Sequence, residues 1–141
     1  MTDCIFCKIV NKEIPGKIVY EDEHVLAFLD IKPVARGHTL VIPKKHAADI
    51  FELDDKSAEE ILKVAKKVAG AALKSLGAAG VNLLNANRKE AGQTVFHYHM
   101  HVIPRYAGDS IRVWPNSSYK ESNLDDVADV MKNFIKNFSA L

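Results

Sequence analysis

A chain of 141 residues is long enough for one domain with a sizeable core. Hydrophobic residues make up 48% and charged residues 26%, and the formal net charge is +1, so no broad basic face serves duplex nucleic acid or an anionic membrane. No apolar run approaches the roughly 20 residues that span a bilayer. The opening "MTDCIFCKIVNKE" carries Asp3 and no long apolar stretch, so it does not read as a signal peptide, and the expected compartment is the cytoplasm.

In chain order, residues 4–11 suit a short helix with Asp3 as N-cap. Residues 17–22 and 24–30 are rich in β-branched and aromatic side chains, and the acidic residues between them suggest a hairpin turn. Pro33 and Gly37 mark 31–37 as a loop, and "HTLVIP" (38–43) is a third strand. From Ser57 to Leu76, Ile61, Leu62, Val64, Ala65, Val68, Ala72 and Leu73 recur at helical spacing with lysines opposite. Gly77 and Gly80 end this helix. "VNLLNAN" (81–87) is a fourth strand, 88–94 a loop and "VFHYHMHVI" (95–103) a fifth strand. A polar stretch, 107–123, precedes a second helix in "NLDDVADVMKNFIKNFSA", with Asn123 as N-cap. Strands in runs, broken by one long helix, indicate an α+β class with an antiparallel sheet of about five strands, one long helix and a C-terminal helix.

Half of the six histidines fall in the fifth strand at two-residue spacing: His97, His99 and His101. On a strand such residues share one face, while Tyr98, Met100 and Val102 point into a core that fixes the register. Three readings of that face stand open: a solvated face, a three-ligand metal site, or a catalytic or anion-binding row. The flank "GQT" bears on the choice. Gly92 allows unusual backbone angles, and Gln93 and Thr94 offer donors for phosphate oxygens without full charge. A neutral imidazole beside a bound phosphate is a nucleophile.

"HYHMHVI" resembles the His-φ-His-φ-His-φ-φ signature of the histidine triad family of nucleotide hydrolases and transferases, φ being an apolar residue. The resemblance extends through "CIFCKIVNKEIPGKIVYEDEHVLAFLDIKPVARGHTLVIPKKH" and "AGQTVFHYHMHVIPR", over about residues 4–106, with 107–141 as a C-terminal extension of a single domain. It implies that His99 attacks the α-phosphorus of a purine nucleotide and becomes nucleotidylated. It also implies that Gln93, Thr94 and His101 contact phosphate, Asp30 the ribose hydroxyls and Ile31 the base. His38 matches a further active-site histidine. Asn85 matches an asparagine beside the phosphates, with Asn87 as the fallback. The implied reaction needs no divalent ion, and no carboxylate cluster here suits Mg²⁺. Asp30 also reads as a turn residue closing its strand.

Cys4 and Cys7, the only two cysteines, form a Cys-x-x-Cys pair. A redox pair needs a βαβ setting that this N-terminus lacks. Inert core thiols are a second reading. The third is half of a zinc site completed by His46 and one triad histidine. The family resemblance makes that histidine His97 and the zinc structural. His24 reads as a solvated turn residue.

Three functions follow as expectations: a phosphoramidase or dinucleoside polyphosphate hydrolase, a nucleotide-binding or interaction module without turnover, and a pure metal-binding protein. "GQTV" and "PRYAGDS" lean to dinucleoside polyphosphates, and "DIKP…HTLVIPKKH" to phosphoramidates. The resemblance further implies a homodimer with a continuous sheet, in which Ala65, Ala69, Ala71 and Ala72 permit close helix contact. Nucleic acid and membrane are not expected partners.

Overall fold

The computed structural model describes residues 3–138. Contacts divide the chain into two compact units, one ending at Ile111 and a smaller one beginning at Arg112.

In the larger unit a short helix, α1 (Ile5–Val10), precedes strands β1 (Ile18–Glu21), β2 (Val25–Leu29) and β3 (Thr39–Pro43). The long helix α2 (Asp55–Ser75) follows, then β4 (Gly80–Leu84), a 3-10 turn (Lys89–Ala91) and β5 (Met100–Arg105). The strands form one five-stranded sheet in the order β1-β2-β3-β5-β4, and every neighbouring pair is antiparallel. The fold class expected from sequence is the one observed.

The central strands explain why their sequences read as continuous apolar runs. Val25, Ala27, Val41, Tyr98 and Val102 pack with Ile61, Val64 and Ala65 of α2. On alternate positions, Leu26, Phe28, Leu40 and Ile42 pack with Phe6 and Ile9 of α1. Both faces of β2 and β3 are thus covered, which anchors the segment carrying the histidines.

Several boundaries differ from expectation. The N-cap of α1 is Cys4, not Asp3: its Sγ accepts the Cys7 N–H at 3.4 Å. Asp54 caps α2 through the Ser57 N–H at 2.9 Å, so the helix starts earlier than expected. Gly77, at φ 72°, follows its last turn, while Gly80 opens β4 rather than ending the helix. Strand β4 stops at Leu84, because Asn85 and Asn87 turn to side-chain hydrogen bonds.

The largest correction concerns β5. The expected strand at 95–103 is observed at 100–105. His97 and His99 lie ahead of the ladder, because Tyr98 donates its N–H to the Ala47 carbonyl (2.7 Å) instead of to a strand. The facial alternation survives: Tyr98 and Val102 are in the core beside α2, and His97 and His99 face the other way, against Phe6. The alanines of α2 are also reassigned. Ala65 and Ala72 are buried, with Ala65 in the core of its own sheet, and so are not free for a second helix.

In the smaller unit, α3 (Leu124–Lys136) is capped by Asn123, whose Oδ1 accepts the Asp126 N–H at 3.0 Å. The last residues assigned to this helix from sequence, Ser139 and Ala140, lie outside the described residues.

Candidate active site and metal centre

His97 uses three atoms. Its Nε2–H donates to the Pro43 carbonyl at 2.8 Å, which leaves Nδ1 unprotonated. That Nδ1 lies 3.4 Å from Cys4 Sγ, 3.6 Å from Cys7 Sγ and 3.2 Å from His46 Nδ1. Cys7 Sγ lies 3.4 Å from His46 Nδ1. For a tetrahedral zinc the ligand–ligand edges are about 3.3 Å between nitrogens and about 3.5 Å between sulfur and nitrogen. The observed spacings are those of a four-ligand cage, and the donors fall within 4.8 Å of one another. The Pro43 carbonyl supplies the outer hydrogen bond that orients a ligating imidazole. Burial, with Cys4 alongside, pushes the Cys7 thiol up to about 11. Burial, with His46 and His99 nearby, brings His97 down to about 4. The chemistry of this donor set suits zinc, and all four expected ligands meet.

The third atom is the His97 carbonyl, which accepts the Nδ1–H of His99 at 2.7 Å. His99 therefore presents Nε2 with a free lone pair. The ring is 5% exposed and is held by the edge of Phe6, with centroids 5.3 Å apart at 85°. Phe6 also meets His97 at 5.9 Å.

Asp30, His38 and His101 form a second cluster. Here the hydrogen bonds argue against a metal. The Val34 N–H donates to His38 Nδ1 at 3.2 Å, so the proton of neutral His38 is on Nε2. That Nε2–H points at His101 Nδ1, 2.9 Å away, with Asp30 Oδ2 at 3.6 Å. Ligation through His38 Nε2 would force a proton onto Nδ1, against the Val34 N–H. The same logic puts the His101 proton on Nε2. Burial and the neighbouring His99 and His38 bring His101 down to about 4, so it is neutral at pH 7 and its Nε2–H is a donor. Burial also lowers His38, opposed by Asp30.

The loop between β4 and β5 is tied down by amides. Asn85 donates to the His99 carbonyl at 2.9 Å. Asn87 donates to Asn85 and accepts the Ile50 N–H at 2.7 Å, one step further back. The Gln93 side chain is buried: Oε1 accepts the Arg88 N–H (2.7 Å), and Nε2 donates to the carbonyls of Ala48 (2.6 Å) and Val95 (3.0 Å). Arg88 is held at φ 71°, a strained angle for a side-chain-bearing residue. Gly92 takes φ 87°. Thr94 is exposed beside them.

Asp30 Oδ1 accepts the Lys32 N–H at 2.8 Å, which is the turn role, while Oδ2 faces His38. Ile31 is 89% exposed. His24 is an exposed turn residue, as expected. Sequence reasoning missed Phe6, the Val34 N–H and the Pro43 carbonyl. The last two are backbone groups and leave no mark in a sequence.

The sequence model of the HIT domain matches residues 11–108. The chain belongs to the histidine triad family. This histidine triad protein is 48% identical over 130 residues to the Hit protein of Bacillus subtilis, covering 89% of this chain and 90% of that one. It is 48% identical over 102 residues to the adenosine 5'-monophosphoramidase hnt1 of Schizosaccharomyces pombe, covering 72% and 74%. A zinc-bound histidine triad family protein from Mycobacterium smegmatis superposes with a TM-score of 0.75 at 35% identity, covering 96% of this chain and 95% of that one.

Proposed function

We propose that this protein is a nucleotide hydrolase or transferase that cleaves at the α-phosphorus through a nucleotidyl intermediate on His99. The carrying observation is the His99 ring: its Nδ1–H is committed to a backbone carbonyl, and Nε2 is left as a nucleophile. His99 Nε2 attacks phosphorus in line, and the bond to the leaving group breaks. A departing amine takes up a proton. Water then attacks, the P–Nε2 bond breaks, and its electron pair returns to His99 as the nucleoside monophosphate leaves. Splitting one displacement into two lowers each barrier.

The surrounding groups stabilise charge on the phosphoryl oxygens. His101 offers Nε2–H, and His38 holds it in that tautomer. Thr94 donates from the exposed turn, and Gln93 acts by fixing the loop behind it. Asn85 is preferred over Asn87 beside the phosphates, because it bonds the His99 backbone directly. Asp30 takes the ribose hydroxyls and the exposed Ile31 a purine base. Cys4, Cys7, His46 and His97 would hold zinc with all four tetrahedral positions filled by protein, so its role would be structural.

Among substrates, a phosphoramidate is favoured by the resemblance to a monophosphoramidase over three quarters of its length. A homodimer is supported by the edge position of β4 and by exposed Leu62 and Leu83 beside it. The cytoplasm is the compartment in which the two free thiols stay reduced.

The test is incubation with adenosine phosphoramidate labelled at phosphorus, followed by early quenching. Wild type should retain label on a base-stable, acid-labile bond. His99→Ala should retain none and lose turnover. Label that persists in His99→Ala places the nucleophile elsewhere.

A further inference from the structure

Residues 31–37 join β2 to β3 and carry the groups that set His38. Ile31, Lys32, Pro33, Val34 and Arg36 are exposed, so burial does little to fix the shape of this segment. Most of its hydrogen bonds are local. The Lys32 N–H donates to Asp30 Oδ1 at 2.8 Å, the Val34 N–H to His38 Nδ1 at 3.2 Å and the His38 N–H to the Ala35 carbonyl at 3.1 Å. Thr39 Oγ1 donates to the Gly37 carbonyl at 2.8 Å. One bond differs. The Tyr106 hydroxyl donates to the Arg36 carbonyl at 2.7 Å. Among the described residues it is the only hydrogen bond that joins 31–37 to a part of the chain beyond 30–39.

Tyr106 is itself held in place. Its N–H donates to Asp109 Oδ2 at 2.8 Å, and the Asp109 N–H donates back to the Tyr106 carbonyl at 3.1 Å. Gly108, at φ 78°, lets the chain make this turn. Arg105 clamps the same carboxylate through Nε at 2.9 Å and reaches Asn82 Oδ1 on β4 at 2.8 Å. Tyr106 follows the last residue of β5, the strand that carries His101. The β5 segment therefore meets the His38 assembly twice. His101 Nδ1 takes the His38 Nε2–H at 2.9 Å, and Tyr106 bonds the loop that sets His38.

The Val34 N–H occupies His38 Nδ1 and so keeps the His38 proton on Nε2, a placement that Asp30 Oδ2 at 3.6 Å also favours. With the Val34 N–H displaced, that proton can sit on Nδ1. His38 Nε2 then accepts from His101 Nδ1–H, and His101 Nε2 is left with a bare lone pair. A donor aimed at phosphoryl oxygens becomes an acceptor that repels them. We propose that Tyr106 is a positioning residue: its hydroxyl holds the 31–37 loop so that Val34 fixes the proton on His38 and, through it, the donor on His101. The kinetic part of this inference rests on the nucleotidyl-transfer reading, whereas the proton placement belongs to the resting protein.

Tyr106→Phe keeps the ring and removes the one hydroxyl. Nitrogen-15 spectra of histidine-labelled, full-length protein at neutral pH read the ring tautomers with no substrate present. Wild type should show Nε2–H on both His38 and His101. Tyr106→Phe should move part of both populations to Nδ1–H. It should also lower kcat for adenosine phosphoramidate about three- to tenfold, with KM changed by less than about twofold. In a His38→Asn background the same substitution should cost nothing further, because the route to His101 is already cut. Wild-type tautomers in Tyr106→Phe, an unchanged kcat, or an equal loss in the His38→Asn background overturns the proposal. A lowered melting temperature without the tautomer shift marks the bond as structural only and overturns it too. Label that persists in His99→Ala removes the nucleophile assignment, and the tautomer shift still decides the role of Tyr106.

Discussion

Gln93→Ala tests the loop that leads from β4 into the histidine row. Its amide makes three hydrogen bonds, to the Arg88 N–H and to the Ala48 and Val95 carbonyls, from a side chain only 5% exposed. Truncation leaves three backbone groups to find water in a tight turn. At about 1 kcal/mol net for each bond, plus desolvation of groups that stay dry, the cost is about 2–4 kcal/mol. Gln93→Glu sharpens the test. It keeps the shape and the acceptor for Arg88 but aims an oxygen at two carbonyl oxygens, so it should be no more stable than Gln93→Ala. Urea denaturation followed by circular dichroism measures both, with turnover measured in the folded fraction. Arg88 should relax from its strained angle in Gln93→Ala, and kcat should fall in both variants with little change in nucleophile labelling per active molecule. Losses below about 0.5 kcal/mol in both variants would show that the amide does not hold the loop.

Cys4→Ala should remove zinc and lower the melting temperature while protein that remains folded keeps nucleotidylation; one zinc per chain by atomic emission in that variant rejects the four-ligand cage. The pH dependence of stability follows from His101, lowered from 6.5 to about 4. Between those values the unfolded chain binds more protons than the folded one, so stability is full above pH 6.5 and declines as pH falls towards 4. After allowance for the partial exposure of the ring, His101→Asn should remove about 1–3 kcal/mol of that decline, read as the difference in urea stability between pH 7 and pH 4.5 for the two proteins; equal declines refute the assignment.

The sequence exposed most of the chemistry because side chains carry it. Period-two histidines and the Cys-x-x-Cys spacing named Cys4, Cys7, His97 and His101. Asp30 and His38 entered only through the family resemblance, and His46 as a candidate ligand to complete the cysteine pair. The apolar alternation of Tyr98, Met100 and Val102 separated the faces. The start of β5 was not legible, because the competing partner is a distant carbonyl, that of Ala47. The tautomers of His38, His97 and His99 were hidden for the same reason: each is set by a backbone N–H or C=O. Gln93 was read as a phosphate donor from its place in "GQT", yet its amide is used inside the loop. The alanines of α2 show the limit of composition: small residues mark close approach, but not whether a helix or its own sheet approaches.

His97 meets Cys4, Cys7 and His46 through its ring and sets the tautomer of His99 through its backbone oxygen. Codon changes can delete the first contribution but not the second, since every amino acid supplies the same carbonyl. Genetic drift can therefore erode the four-residue Cys/His cluster, one side chain at a time, without removing the atom that sets the proton on His99. On the proposed reading the two halves of the triad are exposed to selection separately, and a lineage that discards the metal keeps its nucleophile, provided packing around α1 makes up the lost stability.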